Sequence, residues 1–426
     1  MKKVHFLGIG GSGASAAAAI AQAQEFEVSG CDLEPHNEFT TVFNPDQLMS
    51  GHSASHMSSG NADLLAVTPA IFSLDPDNPE LVEAKKLGIP ILTWQQFLGE
   101  YLTKGKFVIA VCGTHGKTTT TAMIAQLLED AELDPTVELG AINPRWKANF
   151  RVGEGKHFVI EADEFNDNFL PLHPDISVVT NIEMDHPEYF KDLEAVKESF
   201  KKFLLQTRQT VVVNLSDPNV AEVVKIIMKS RGQYLDYSKN ELNFSLKIPG
   251  AFNKLNAQAA IHVGLLLGIN PQTIQKSLMN YKGVGRRFEY IGTHHGAKVY
   301  SDFGHHPTEI KVTMEAAREK FPTQKIWLIY EPHMFSRTKA LFNDFVDVFK
   351  SIPMDQIIIT DIYPSREVDT GLINSKQLAE AVHYDSLVYH SREKLGDILK
   401  KEVKKEDILF FMGAGDIDKI AKELVK

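Results

Sequence analysis

The run Gly113-Thr114-His115-Gly116-Lys117-Thr118-Thr119-Thr120-Thr121 constrains the fold more than any other stretch of these 426 residues. It follows an apolar run, Phe107–Val111, that reads as a buried strand, and precedes a helical pattern with apolar Met123, Ile124, Leu127 and Leu128. Strand, glycine-rich turn and Gly-Lys-Thr opening a helix are the parts of a phosphate-binding loop. Backbone N–H groups and the helix N-terminus hold phosphate oxygens, the lysine reaches the β- and γ-phosphates, and the threonine hydroxyl is offered to Mg²⁺. On this reading Gly113, Thr114, His115, Gly116, Lys117, Thr118 and Thr119 bind ATP. The match departs from G-x-x-x-x-G-K-[ST] at one place, because its first glycine would fall at Val111.

The length allows about three domains, each with its own core. The formal net charge of −10 and the lack of a long Lys/Arg block argue against nucleic acid or a membrane surface as the main partner. An anionic substrate would have to be gripped by local basic residues. Cys31 and Cys112 each end an apolar run and suggest neither a disulfide framework nor a zinc site, which fits a reducing cytoplasm. Met1-Lys2-Lys3 and the small residues after it imitate a signal peptide, but Gly8, Gly10, Gly11, Ser12 and Gly13 interrupt the apolar stretch. It reads better as strand, turn and helix. No run of about 18 apolar residues is present, so no membrane span is expected.

Strand-like runs alternate with helical patterns almost to the end, which predicts α/β domains with largely parallel sheets. The first block, residues 1–106, holds strands at Val4–Leu7, Leu64–Thr68 and Ile91–Thr93. The second, 107–288, adds Phe158–Ile160, Ile176–Thr180 and Val211–Asn214, with helices near Lys254–Leu267 and Thr273–Asn280. The third, 289–426, contains Val299–Ser301, Ile326–Tyr330, Ile357–Thr360 and Ile408–Met412. Hinges are expected near Lys104-Gly105-Lys106 and Gly283-Val284-Gly285.

Gly8-Ile9-Gly10-Gly11-Ser12-Gly13 is a full G-x-G-x-x-G after a strand, and Asp32 ends the next strand where a ribose-binding acid is expected. Taken alone, this suits NAD, a UDP-sugar pyrophosphate or a purely structural turn. Glu161-Ala162-Asp163-Glu164 and Asn181-Ile182-Glu183-Met184-Asp185-His186 follow strands of the second block, at the edge where open α/β sheets bind ligands. With Thr118 they offer oxygen and imidazole ligands to Mg²⁺. In the third block, His305 and His306 follow a strand and Arg337 opens a helix, a pattern that suits a carboxylate or phosphate. Arg286 and Arg287 stand at the second hinge, within reach of ATP phosphates or merely solvated.

Gly8–Gly13, Gly113–Thr121, Glu161–Glu164, Asn181–His186, Asn253–Asn256, Gly285–Phe288, Asp302–Thr308 and Pro332–Thr338 occur in the order found in the Mur ligases, which the chain resembles over nearly its whole length. The resemblance implies a Rossmann-like N-terminal domain for a UDP-sugar, a central P-loop ATPase domain and a Rossmann-like C-terminal domain for an amino acid. It implies that Gly8, Gly10, Gly11, Ser12, Gly13, Asp32 and Thr68 meet the UDP-sugar. Lys117 would hold the β/γ-phosphates, Thr118 and Glu161 one Mg²⁺, and His186 a second. Asn256 would meet adenine, Asp302 the ribose, and Arg286 or Arg287 the phosphates. His305 and Arg337 would hold the incoming amino acid, and the reaction would be ATP-dependent amide formation on the lactyl carboxylate of UDP-N-acetylmuramate. Nothing in the sequence sets an oligomeric state.

The segments Pro332–Thr338 and Asp361-Ile362-Tyr363-Pro364 resemble members that add a free small amino acid, L-alanine first. Ala14, Phe252, Phe303 and Met334 depart from that pattern, and Tyr234–Gly250 is shorter than expected, so some central strands should be missing. Phe303 and Phe158–Glu164 look equally like a member that joins a recycled tripeptide to the same sugar. A non-catalytic sugar or nucleotide sensor would not require Lys117, Thr118, Glu161 and His186 together. A dehydrogenase is suggested by the first glycine turn alone.

Overall fold

The computed structural model describes residues 2–58, 60–228, 233–239 and 241–426. Its strands form three sheets among these residues. The first is built from β1 (Lys3–Leu7), β2 (Glu27–Asp32), β3 (Leu48–Ser50), β4 (Leu64–Val67) and β5 (Ile91–Thr93), all parallel in the order β3-β2-β1-β4-β5. The helix Ser12–Ala23 joins β1 to β2, and its alanines let it lie close on the sheet with Ala16, Ala17 and Ala18 fully buried. Continuous apolar runs such as Leu64–Val67 suit strands covered on both faces.

The second sheet comprises β6 (Phe107–Cys112), β7 (Thr136–Asn143), β8 (Ala148–Arg151), β9 (His157–Glu161), β10 (Ile176–Val179), β11 (Thr210–Val213) and β12 (Tyr234–Asp236). Its order is β12-β11-β10-β6-β9-β7-β8, with β7 and β8 forming an antiparallel hairpin at one edge. β6 therefore lies between β10 and β9, and the carboxyl ends of all three converge beside the loop that leaves β6. That convergence is where an open α/β sheet forms a ligand crevice.

The third sheet contains β13 (Glu289–His294), β14 (Ala297–Asp302), β15 (Ile326–Tyr330), β16 (Gln356–Ile359), β17 (Leu387–Tyr389) and β18 (Ile408–Met412), ordered β13-β14-β18-β15-β16-β17. Only β13 is antiparallel to its neighbour. Asp302 and Tyr330 both pair with Met412, so β14, β18 and β15 end on one line and deliver Asp302, Glu331 and Gly413 to the same edge. The core on one face of this sheet is aromatic, with Tyr300, Phe345, Phe349 and Phe410 packed together.

The chain thus has three α/β sheet domains, as its alternating pattern predicts. The backbone groups into two compact units. One comprises Met1–Glu183, Glu194–Phe244 and Asn256–Met279, with the first two sheets; the other comprises Met184–Leu193, Ser245–Leu255 and Asn280–Lys426, with the third. Residues 184–193, 245–255 and 280–288, which the sequence blocks put in the middle region, group with the third sheet.

Candidate active site

The loop between β6 and the helix Lys117–Asp130 is shaped by its glycines and by the end of β10. Gly113 has φ +135°, and a Cβ there would stand 1.9 Å from Thr180 Oγ1. Gly116 has φ +81°, and its Cβ would meet Asn256 Oδ1 at 2.8 Å. Both positions exclude a side chain. Asn181 holds the loop from both sides, accepting from His115 N–H at 2.8 Å and donating to His115 O at 3.0 Å. The Thr180 hydroxyl donates to the same carbonyl at 2.6 Å, and Thr114 Oγ1 accepts from Glu183 N–H at 2.8 Å. The main chain of the loop is therefore set by side chains from the neighbouring strand end.

Lys117 Nζ reaches back over the loop to Gly113 O at 2.7 Å and Glu164 Oε2 at 2.9 Å, with Asp163 Oδ1 at 3.8 Å. Burial alone would depress this ammonium, but Glu164, then Asp163, raise its pKa instead. Thr118 Oγ1 donates to Glu161 Oε1 at 2.8 Å, and the other Glu161 oxygen accepts from Gly140 N–H at 2.9 Å. Thr119 is buried one residue further along the helix. The unit thus brings together a phosphate cradle, a charged lysine, an oxygen pair suited to a hard cation, and Asn256. Nearby Glu138 is 2% exposed, and burial, then the Glu161 carboxylate, raise its carboxyl well above the usual range.

The first glycine turn is equally tight. Gly8 has φ +89° and its Cβ would lie 2.8 Å from Thr68 Cβ. A Cβ on Gly10 would strike Asp32 Oδ2 at 2.8 Å, the atom that accepts Gly10 N–H at 3.0 Å. A Cβ on Gly13 would come 2.3 Å from the Trp94 ring, so the helix lies directly on that indole. Gly8, Gly10, Gly13, Asp32 and Thr68 are therefore neighbours, while Gly11 is open on its far side and Ser12 opens the helix. Asn149 on β8 donates to Ser12 O, linking this helix to the hairpin of the second sheet.

In the other unit, Arg337 is 1% exposed, and its Nε and Nη2 both contact Asp185 Oδ1 at 2.9 Å. Nη1 donates to His333 Nδ1 at 3.1 Å. Although burial would raise the Asp185 carboxyl, His186 and then Arg337 hold it well below the usual range. His186 follows with φ +54°, its Nδ1 3.2 Å from Glu188 Oε1. His305 is pushed down to about 4 by burial and then by Arg337, and His333 to about 2 mainly by burial. Met334, fully buried just before the Arg337 helix, is held at φ +70°, a strained setting for a long side chain. Arg286 and Arg287 flank the Phe303 ring with guanidinium carbons 4.9 and 4.6 Å from its centroid. Arg286 also donates to Gly413 O and Gly415 O at 2.7 and 2.9 Å. Asp302 accepts Phe288 N–H and Gly304 N–H, both at 2.8 Å.

Two partners were not singled out from sequence. Glu164 is the carboxylate nearest Lys117, and Asp185 is the counter-ion of Arg337. Both lie inside acidic clusters that the sequence marks, but only the fold chooses between adjacent acids.

Comparison with known proteins adds to this geometry. Residues 3–105 match the model described as Mur ligase family, catalytic domain; residues 111–264 match the Mur ligase middle domain; residues 286–415 match the Mur ligase glutamate ligase domain. A UDP-N-acetylmuramate–L-alanine ligase of Acetivibrio thermocellus is 39% identical over 458 residues, covering 100% of this chain and 96% of that protein. One from Alkaliphilus metalliredigens is 35% identical, covering 100% and 97%. The solved structure of a UDP-N-acetylmuramate–alanine ligase from Thermotoga maritima aligns with a TM-score of 0.80 at 28% identity, over 100% of this chain and 98% of that one. A murein peptide ligase from Psychrobacter arcticus shares the fold at TM-score 0.71 and 21% identity, covering 100% and 98%.

Proposed function

The chain belongs to the Mur ligase family, and from that premise we propose how it joins L-alanine to the lactyl carboxylate of UDP-N-acetylmuramate in peptidoglycan precursor synthesis. It is an ATP-dependent ligase forming an amide C–N bond. The observation that carries the reading is the phosphate loop with Lys117 and the Thr118–Glu161 pair at 2.8 Å, on a chain similar throughout its length to ligases of that name. We place the reaction in the cytoplasm, where ATP is available and the free thiols stay reduced; no helix among the described residues is long and apolar enough to cross a membrane.

A carboxylate is a poor electrophile, so its oxygen first attacks the γ-phosphorus of ATP. The new O–P bond forms as the bridge to ADP breaks, giving an acyl phosphate. The amine then attacks the acyl carbon, and the tetrahedral intermediate releases phosphate. Lys117 stabilises charge on the transferred phosphoryl group, helped by the N–H donors of the first turn of the helix Lys117–Asp130. The hydroxyl and carboxylate of Thr118 and Glu161 suit a hard divalent cation, and His186 is the proposed ligand of a second. A divalent cation such as Mg²⁺ held by these residues would neutralise phosphoryl charge.

Asn256 is assigned to adenine. Each Asp302 oxygen keeps a lone pair for a ribose hydroxyl, and Arg286 or Arg287 acts on phosphate. Arg337 keeps Asp185 as its counter-ion and offers its second Nη1 N–H to the amino-acid carboxylate. His305, neutral at pH 7, takes the proton from the attacking amine. Its Nδ1 lies 3.2 Å from Phe303 O, an acceptor only, so that nitrogen carries the proton and Nε2 is the base. Gly8–Gly13, Asp32 and Thr68 hold the UDP-sugar.

ADP release with UDP-N-acetylmuramate tests the assignment. L-alanine should support the fastest turnover, with serine or glycine slower by about 10–200-fold at most, because small apolar pockets discriminate weakly. Much faster release with the tripeptide would make this a recycling ligase instead.

A further inference from the structure

The first sheet buries a second group of reactive side chains behind its glycine turn. Glu80 is fully buried and lies at its centre. Cys31 Sγ donates to Glu80 Oε1 and Oε2 at 3.0 and 3.2 Å, and His56 Nδ1 lies 3.0 Å from Oε1. His5 Nε2 lies 3.1 Å from Oε2, and His52 Nδ1 is 3.3 Å from the sulfur. The donor atoms of His5, Cys31, His56 and Glu80 all fall within 4.8 Å of one another.

A hydrogen-bond network centred on Glu80 explains part of this arrangement. It accounts for His5 only as an ion-pair partner of Glu80. Its ring is buried, and Nε2, though close to Glu80, makes no aligned hydrogen bond with any partner. The opposite nitrogen, Nδ1, is 2.8 Å from Ser29 Oγ. That is the outer contact a metal-binding histidine uses to fix its tautomer and aim its other nitrogen inward. One thiol, two imidazoles and one carboxylate form a borderline-soft donor set. Zinc bonds of about 2.0–2.3 Å require ligand separations of roughly 3.3–3.8 Å; the contacts to Glu80 at 3.0–3.2 Å fall just short of that range, and all four donor atoms lie within 4.8 Å of one another.

We propose that His5, Cys31, His56 and Glu80 form a buried four-ligand site for a thiophilic divalent transition metal of the Zn²⁺ class, with His52 at its rim. Binding displaces the thiol proton to solvent and creates a thiolate–metal bond without redox change. This revises the expectation that the cysteines mark no zinc site. The site is separate from the phosphate loop and independent of the proposed reaction. It lies directly under the glycine turn, because Gly8 N–H and Ile9 N–H donate to Cys31 O at 2.9 and 3.1 Å.

The test uses the full chain, stripped with a chelator and titrated with Zn²⁺ in the presence of excess Mg²⁺, alongside a Co²⁺-substituted sample. One tightly held Zn²⁺ per chain is expected, with a thiolate-to-cobalt charge-transfer band and a rise in melting temperature on Zn²⁺ addition. Cys31→Ser should abolish the band and weaken Zn²⁺ binding by more than about 100-fold, beyond what loss of an outer-shell partner costs. Cys112→Ser should leave both unchanged. If Cys31→Ser does not fold, His56→Ala carries the test, since that ring sits at the partly open side of the cluster; it should weaken Zn²⁺ at least about tenfold. Absence of tight Zn²⁺ binding would overturn the proposal, as would wild-type Zn²⁺ affinity in the folded Cys31 or His56 variant.

Discussion

At the scale of single residues, two buried ion pairs dominate. Lys117 is paired with Glu164, which is only 2% exposed, so Lys117→Ala removes more than a phosphate ligand. Turnover should fall at least about 100-fold. Stability should also drop, by about 3 kcal/mol, because Glu164 loses its nearest cation. Adding Glu164→Gln should restore much of the melting temperature and none of the turnover. Near-normal ADP release by Lys117→Ala would remove the phosphate assignment. Arg337→Ala should lower kcat/KM for the amino acid by about 10–100-fold, the worth of a charged hydrogen bond. The apparent affinity for ATP should stay within about twofold; a parallel loss would show that Arg337 serves the fold through Asp185 and not the acceptor.

At the scale of elements, the glycine turns convert sequence into geometry. Gly113→Ala places a methyl 1.9 Å from Thr180 Oγ1 at a φ that L-residues avoid, so it should abolish turnover and cost about 1–3 kcal/mol. Gly13→Ala drives a methyl into the Trp94 ring, 2.3 Å away, and must displace the indole or the helix. It should raise KM for the UDP-sugar several-fold while barely changing KM for ATP. Equal effects on both would mean that the helix Ser12–Ala23 acts chiefly through its contact with Asn149 on the β7–β8 hairpin. That hairpin has no counterpart in the sequence reading, since β7, though eight residues long, mixes polar residues and a glycine into its apolar ones, and β8 has only four residues. Glu161 and Asp302, by contrast, end strands that the apolar runs already marked.

At the scale of the whole molecule, acid should weaken the protein. His305 and His333 have pKa values near 4 and 2, against 6.5 unfolded, so the unfolded chain binds more protons below pH 6.5. Their contribution is complete above pH 6.5 and is lost as pH falls through that window. Glu331 works in the opposite direction between its unfolded 4.5 and about 7, where burial holds it despite Arg392. Glu138, raised by burial, opposes the loss as Glu331 does, while His157 and His294, lowered by burial, add to it, so four imidazoles against two carboxyls leave a net loss on acidification from pH 6.5 to 4.5. Urea melts of wild type should show it, His333→Gln should reduce it, and Glu331→Gln should steepen it. A flat wild-type profile would contradict this balance.

The sequence by itself determined the alternating α/β plan, the phosphate loop, the first glycine turn and the order of motifs that marks the family. These are local: strand runs, turn residues and helix starts are written within a few adjacent positions. The tertiary structure decided which of two adjacent residues takes the close contact: Glu164 lies 2.9 Å from Lys117 where Asp163 lies 3.8 Å away, and Asp185 lies 2.9 Å from Arg337 where His186 lies 3.4 Å away. It also decided that residues 184–193 group with the third sheet, where Asp185 finds Arg337 across 152 positions of chain. The same holds for Cys31, a lone thiol in sequence, which meets Glu80 and His52 only once the strands pair and the helix Pro79–Leu87 packs. Long-range pairing carries no local signature, since its energy depends on burial that exists only after the chain has folded.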